Sequence, residues 1–290
     1  MTEPVKHVDR RTTWKGQWWR HAILLPLTIA TLYPVLWVVK MALTPQGTPD
    51  LSANPFPSEI TFENFEALIG TTDIHGTWLF GHWLFNSLVI AGATTVVGIA
   101  LSCTAAYAFS RFDFPGRELG MNAFLVTQMF PGVVMAIPLY ILMDATGLLN
   151  SITGLVLCYS TTAIPFCVWM LKGYFDTIPR DLEEAATIDG ASQWTIFLVI
   201  VLPLSRPAIA VTALFSFMTA WNEFILAATF MGDETDFTLP VALQRFVGDY
   251  STDWGAFAAG AIVVSIPVMA LFFALQKNLV EGLTAGSVKG

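Results

Sequence analysis

Charge is what this sequence has least of. Only 12% of its 290 residues are Asp, Glu, Lys or Arg, about half the share of an ordinary soluble domain. The deficit falls on basic residues, 14 against 22 acidic ones, for a net charge of −8. That balance excludes nucleic acid as a partner, because a phosphate backbone demands a basic face. Cysteine is scarce too: Cys103, Cys158 and Cys167 lie in apolar runs without paired spacing. They read as small core residues, neither a disulfide framework nor a metal site. His7, His21, His75 and His82 show no metal-ligand spacing. No G-x-x-x-x-G-K-[ST] stretch occurs, so the chain has no such loop to cradle ATP phosphates. The basic start leads into a long apolar run with no small-residue cleavage site, unlike a signal peptide.

What remains is hydrophobic: 54% of residues, with mean hydropathy +0.61. Six runs are long enough for a bilayer core, which takes about 20 residues: 21–40, 83–109, 119–143, 151–171, 207–231 and 255–276. The expected fold is an all-α membrane protein of six spans. An arm over 1–20 precedes the first span, a loop over 41–82 follows it, spans two to six fill 83–277, and a tail covers 278–290.

Orientation follows from the basic residues. With the N-terminus inside, twelve lie on the cytoplasmic side: Lys6, Arg10, Arg11, Lys15, Arg20, Arg111, Arg117, Lys172, Arg180, Arg206, Lys277 and Lys289. Only Lys40 and Arg245 lie outside. Both termini are expected in the cytoplasm. The outer loops carry acid instead, including Asp73, Asp233, Glu234 and Asp236. That acid is either ordinary solvated loop or a docking face for an external partner. In the first outer loop, the stretch from Thr61 to Glu66 predicts a short, capped helix outside the membrane.

One stretch interrupts the pattern: "EEAATIDGASQWTIFLVIVLP", Glu183 to Pro203. Asp176, Arg180, Asp181, Glu183, Glu184 and Asp189 crowd its start. At roughly 2.5–3.5 kcal/mol per central charge, burying all six in lipid costs about 15–20 kcal/mol. This segment is therefore expected in the cytoplasm, between spans four and five. Pro179 suits a first helical position, and the acids after it suit the positive end of a helix. Leu182, Ala185 and Ala186 share helical spacing, Gly190 ends the helix, and Ser192 caps the next. That next helix carries an apolar stripe of Trp194, Phe197, Leu198, Val201 and Leu202 before Pro203. The pattern predicts a rigid knob over about 179–190, held to the bundle by its second half.

These residues carry a resemblance. Glu184-Ala185-Ala186, Gly190 and Ile200-x-Leu202-Pro203 match every fixed position of E-A-A-x3-G-x9-I-x-L-P. This motif is found in permease subunits of binding-protein-dependent ABC importers. "AYAFSRFDFPGR" (106–117), "WMLKGYFDTIPRDLEEAA" (169–186), "WNEF" (221–224) and "GLTAGSVKG" (282–290) resemble the sugar permeases, the last the maltose/maltodextrin branch. The resemblance runs from about Ala22 to the end. It implies a transport subunit of a prokaryotic inner membrane, not an enzyme. The implied partners are a second homologous permease, two ATPase subunits and an external sugar-binding protein. ATP and magnesium would be bound by the ATPase subunits, leaving this chain without a cofactor. The knob would be a coupling helix docking on an ATPase subunit through Glu184, Ala185, Ala186 and Gly190, with Leu182 and Ile188 beside them. Thr284, Ala285, Gly286, Lys289 and Gly290 would make a second coupling contact. The loop over about 232–254 would reach the binding protein, and in the maltose type the partner permease holds most of the sugar.

Polar residues inside spans are candidate pathway positions. Gln128, Asn222 and Glu223 qualify, each equally able to join helices by a hydrogen bond. Phe130 and Pro131, with Met129 and Met135, form either an apolar gate or ordinary packing. Two other functions compete with the importer. A secondary transporter would show inverted repeats, and no internal duplication is evident. An intramembrane enzyme would need a convergent Ser/His, metal or carboxylate site.

Overall fold

The computed structural model describes residues 18–46, 52–248 and 252–285, with side chains to 278. Gly286, Lys289 and Gly290 of the expected tail contact lie outside the described residues, as does most of the N-terminal arm. Thr284 and Ala285 fall in the last turn of the final helix.

Thirteen α-helices appear among the described residues. The long ones are α1 (Trp18–Leu43), α3 (Leu79–Arg111), α6 (Ile152–Phe175), α10 (Arg206–Trp221) and α13 (Trp254–Ala285). Between them lie α2 (Glu63–Ile69), α4 (Arg117–Gln128), α5 (Gly132–Ala145), α7 (Asp181–Ile188), α8 (Gln193–Ile196), α9 (Leu202–Leu204), α11 (Ile225–Phe230) and α12 (Leu239–Leu243). Four helices are single spans by length and composition: α1, α3, α6 and Trp254–Asn278 of α13. Two bent pairs raise the number to six if each counts as one crossing.

The bends have local causes. The third run is not one straight helix. Pro131 sits in extended conformation between α4 and α5, and the two meet at 103°. Its ψ of 126° takes the chain out of the helix there, and its missing N–H offers no bond back to α4. The fifth run ends as a helix at Trp221 and restarts at Ile225. At its other end α10 meets the segment Gln193–Leu204 at 80°. Pro26, Pro34, Pro138, Pro165 and Pro267, by contrast, stay inside continuous helices.

The centre of the bundle is α3, which packs along α6 and α10, while α1 lies on α13. Every fourth residue of α3 from Thr94 to Ser110 is small and buried: Thr94, Gly98, Ser102, Ala106, Ser110. Such a stripe lets backbones approach, which drives helix association where lipid removes the hydrophobic advantage. A Cβ at Gly98 would stand 3.2 Å from Ser216 Oγ on α10.

The far end of the bundle, opposite α7, is closed by polar clamps. Lys40, fully buried, donates to the Ser52 and Asn54 carbonyls at 3.0 and 2.8 Å. Buried Asn64 of α2 donates to the Ala42 and Thr44 carbonyls at 2.9 and 2.8 Å. The expected short helix after Thr61 is present but lacks the expected side-chain cap: its N-cap is Phe62, and the Thr61 hydroxyl before it accepts the Glu63 N–H at 3.3 Å. Trp83, Asn86 and Ser87 of α3 hold the segment 234–239 through its carbonyls and the Leu239 N–H. Asn150, at φ +53°, accepts the Gly232 N–H at 2.6 Å.

Candidate functional site

The acidic stretch folds as a helix–turn–helix at one end of the bundle. Arg180 is the N-cap of α7, whose carbonyl accepts the Glu183 and Glu184 N–H groups at 2.9 Å. Pro179 therefore precedes the cap instead of opening the helix. Asp181, Glu183 and Glu184 fill the first turn, where the helix dipole favours anions. The other end is a double cap. The Gly190 N–H donates to the Thr187 carbonyl at 3.0 Å and the Ala191 N–H to the Ala186 carbonyl at 2.9 Å. That pair of bonds requires a left-handed residue at Gly190, and its φ is +85°. The Ser192 hydroxyl then accepts the Thr195 N–H and starts α8.

The second half anchors the unit. Ile196, Phe197 and Val201 are buried among Tyr107, Val168, Leu171, Phe175 and Ala208 from α3, α6 and α10. Two members of the predicted stripe differ: Trp194 and Leu198 are 61% and 42% exposed. The helix also loosens at Phe197–Val201 into a π-turn, in which the Leu202 N–H reaches back to the Phe197 carbonyl. Pro203 follows at once and brings no N–H of its own.

The first half divides into two faces. Leu182, Glu184, Ala185, Ile188 and Gly190 are exposed, Ile188 at 86%. Ala186 is half-buried and packs toward the bundle, so the two alanines expected on one face are separated. Glu183 is buried too. Its Oε1 accepts from Arg111 Nε at 2.6 Å, with the two side chains 11% and 7% exposed. The Tyr107 hydroxyl lies 3.3 Å from Glu183 Oε2 and 3.2 Å from Gln193 Oε1. Arg111 also donates to Ser110 Oγ at 3.0 Å and to the Ile178 carbonyl at 3.1 Å. Ser110 donates to Asp176 Oδ1, and Lys172 to Asp176 Oδ2, both at 2.6 Å. Burial raises the Asp176 carboxyl, but Lys172 and Ser110 outweigh it and hold the group below the ordinary carboxylate value.

Sequence reasoning missed Arg111 and Glu183. Glu183 looked like one more acid on a cytoplasmic edge, and Arg111 like a topological marker. Helical geometry held the signal: Glu183 and Ala186 are three apart on a face distinct from Leu182, Ala185 and Ile188.

The polar residues within the spans lie elsewhere and are not one cluster. Gln128, exposed at the end of α4, donates to the Thr162 carbonyl of α6 at 2.9 Å, joining two helices. Phe130 and Pro131 form the exposed corner of the α4–α5 bend. The Asn222 side chain returns to the Met218 carbonyl at 2.9 Å. The Glu223 carboxylate accepts the Leu226 and Ala227 N–H groups at 2.8 and 3.1 Å, capping α11. Four of the five thus lie at the two helix breaks, and Gln128 joins α4 to α6 beside the first.

Residues 98–284, which contain both the knob and the helix-break residues, match the family described as binding-protein-dependent transport system inner membrane component. The chain is 38% identical over 271 residues to a galactooligosaccharides transport system permease protein of Bacillus subtilis, covering 93% of this chain and 94% of that one. It is 36% identical over 272 residues to a trehalose transport system permease protein of Mycobacterium tuberculosis, covering 93% and 97%. It is 37% identical over 283 residues to the maltose/maltodextrin transport system permease protein of Salmonella typhimurium, covering 93% and 95%. Its fold is similar to a chain of a bacterial ABC transporter involved in import of the polysaccharide alginate. That match has a TM-score of 0.76 at 21% identity and covers 95% of this chain and 99% of the other. The chain belongs to the family of binding-protein-dependent transport system inner membrane components.

Proposed function

We propose that this chain is a permease subunit of an ATP-driven ABC importer for a sugar in a prokaryotic inner membrane. Maltose, maltodextrin or a related oligosaccharide is the proposed cargo. Three relatives sharing more than a third of their residues with this chain are named for trehalose, galactooligosaccharides and maltose/maltodextrin. They support an oligosaccharide class more firmly than any one member.

The observation that carries the mechanism is the capped knob α7. It is short, closed at its C-terminal end by the double cap, fixed by its buried Glu183, and turns Leu182, Ala185 and Ile188 outward. A membrane chain with so rigid an apolar projection needs something to receive it. In this proposal the receiver is an ATPase subunit, with a second permease and an external sugar-binding protein completing the assembly. ATP-driven closure of two ATPase subunits displaces α7. The bundle follows and alternates the side on which the pathway opens. Glu184, Ala185 and Gly190 form the docking face with Leu182 and Ile188, and Ala186 supports it from beneath. The tail from Thr284 supplies a second contact. Gln128, Phe130, Pro131, Asn222 and Glu223 mark the helix breaks where the pathway changes shape.

The test is ATP-dependent sugar uptake by the reconstituted complex carrying Glu184→Lys. Uptake and substrate-stimulated ATPase activity are both expected to disappear while membrane insertion persists. Unchanged uptake would remove α7 from the coupling role.

A further inference from the structure

Two of the knob's links to the bundle differ in stiffness. Along the chain toward α10 the helix is interrupted twice. A π-turn occupies Phe197–Val201, and the path turns through 80° at Ser205. Such breaks are where helices bend, so a push along this route is absorbed. Through space toward α3 the connection is dense and directional. Arg111 and its neighbours at the end of α3 hold the chain before the knob at Asp176, Ile178 and Arg180. They hold the knob itself at Glu183 and the chain after it at Gln193. Buried ion pairs add little stability over well-packed apolar groups. Their hydrogen bonds do fix orientation, which an apolar contact leaves free to slide.

We infer that Arg111 and Glu183 are positioning residues that make α7 and the end of α3 one rigid body, so that knob motion enters the bundle through α3 while α10 hinges at Ser205. The inference rests on the proposed coupling role of α7. It assigns the paired glutamates of the knob opposite tasks. Glu184 faces outward to the partner and Glu183 inward to the bundle.

Two measurements on the assembled complex test it. Spin labels at Asp189 and Thr104, both exposed, report the knob–α3 distance, and labels at Asp189 and Met218 report knob–α10. Through the ATP cycle the first distance is expected to stay fixed while the second shifts. A moving first distance overturns the inference. Separately, Glu183→Gln and Arg111→Gln are expected to lower the sugar moved per ATP hydrolysed at least tenfold. A cysteine pair at the two positions, bridged by a short bis-thiosulfonate reagent, is expected to restore the ratio until reduced. A wild-type ratio in either neutral variant, or no recovery on bridging, overturns it. Should those variants not assemble, Tyr107→Phe with Ser110→Ala weakens the same network without stranding a charge. It is expected to lower the ratio severalfold, and an unchanged ratio counts against the inference. If Glu184→Lys also leaves uptake intact, the coupling proposal itself has failed. If Glu184→Lys abolishes uptake while the knob moves freely against α3, only the rigid-body inference has failed.

Discussion

Replacing Gly190 in a graded series separates what the knob's backbone requires from what its partner requires. A Cβ at this position meets nothing within 4 Å, so alanine adds no clash inside the chain. Its penalty is conformational only: an L-residue at φ +85° is strained by about 1–2 kcal/mol. That corresponds to roughly a 5- to 30-fold rise in the unwound population of the cap. Asparagine, which visits the left-handed region more readily, is expected to lose less. Proline is different in kind. Its φ is locked near −65° and it has no N–H, so the bond to the Thr187 carbonyl is gone and the double cap cannot form. An eight-residue helix has little intrinsic stability to survive this. Amide exchange over residues 181–191, measured in nanodiscs, is expected to quicken in the order Gly, Asn, Ala, Pro, with uptake falling in the same order. If proline leaves exchange protection intact, the double cap does not hold the knob. If alanine keeps the protection but abolishes uptake, the missing Cβ matters to the partner and the strain argument is wrong.

At the far end, Gly255→Ala drives a methyl into the Asn64 side chain, which two carbonyl bonds hold in place. Overpacking of this kind is expected to destabilise the α2–α13 contact by about 1–3 kcal/mol, seen as faster proteolysis of the loop before α3. Asp176 is held below its ordinary value, so its contribution to knob docking is complete above that value and is lost only as pH falls through the depressed one. Its share of the knob's exchange protection, read as the difference between wild type and Asp176→Asn, is expected to be flat from neutral through mildly acid pH and to shrink only below the ordinary carboxylate range. Loss of protection in the mildly acid range would contradict this. Truncation after Gly282 is expected to weaken assembly or coupling, and full activity of the truncated complex would reject a role for the tail.

The knob was legible because each of its parts obeys a local rule. Caps, a left-handed glycine and an anionic first turn are all written within a dozen residues, and all but the place of Pro179 agree with the structure. The apolar runs were equally legible as composition, but their shape was not. Pro131 breaks the third run while Pro165 leaves α6 whole, and hydropathy treats the two alike. The difference lies in the backbone at each proline, extended at Pro131 and helical through Pro165, and composition does not carry it. The Arg111–Glu183 pair lay beyond the sequence for another reason. Its members are 72 positions apart, and each was adequately explained alone, one by topology and the other by solvent. Glu223 shows the reverse case. A charge in an apolar run suggested either a pathway position or a hydrogen bond between helices, and its carboxylate accepts two N–H groups of the helix that restarts after the break.

The central claim is that the exposed face of α7 seats on an ATPase subunit. A photo-crosslinking residue at Ile188, 86% exposed, in the purified and reconstituted complex tests it most directly. The expected product joins this chain to the subunit that binds ATP, with a yield that changes between nucleotide-free and ATP-bound states. The same probe at Ile74, 95% exposed in the loop between α2 and α3 at the far end of the bundle, is expected to give no such product. An active complex in which Ile188 crosslinks only to lipid or to the second permease would contradict the account.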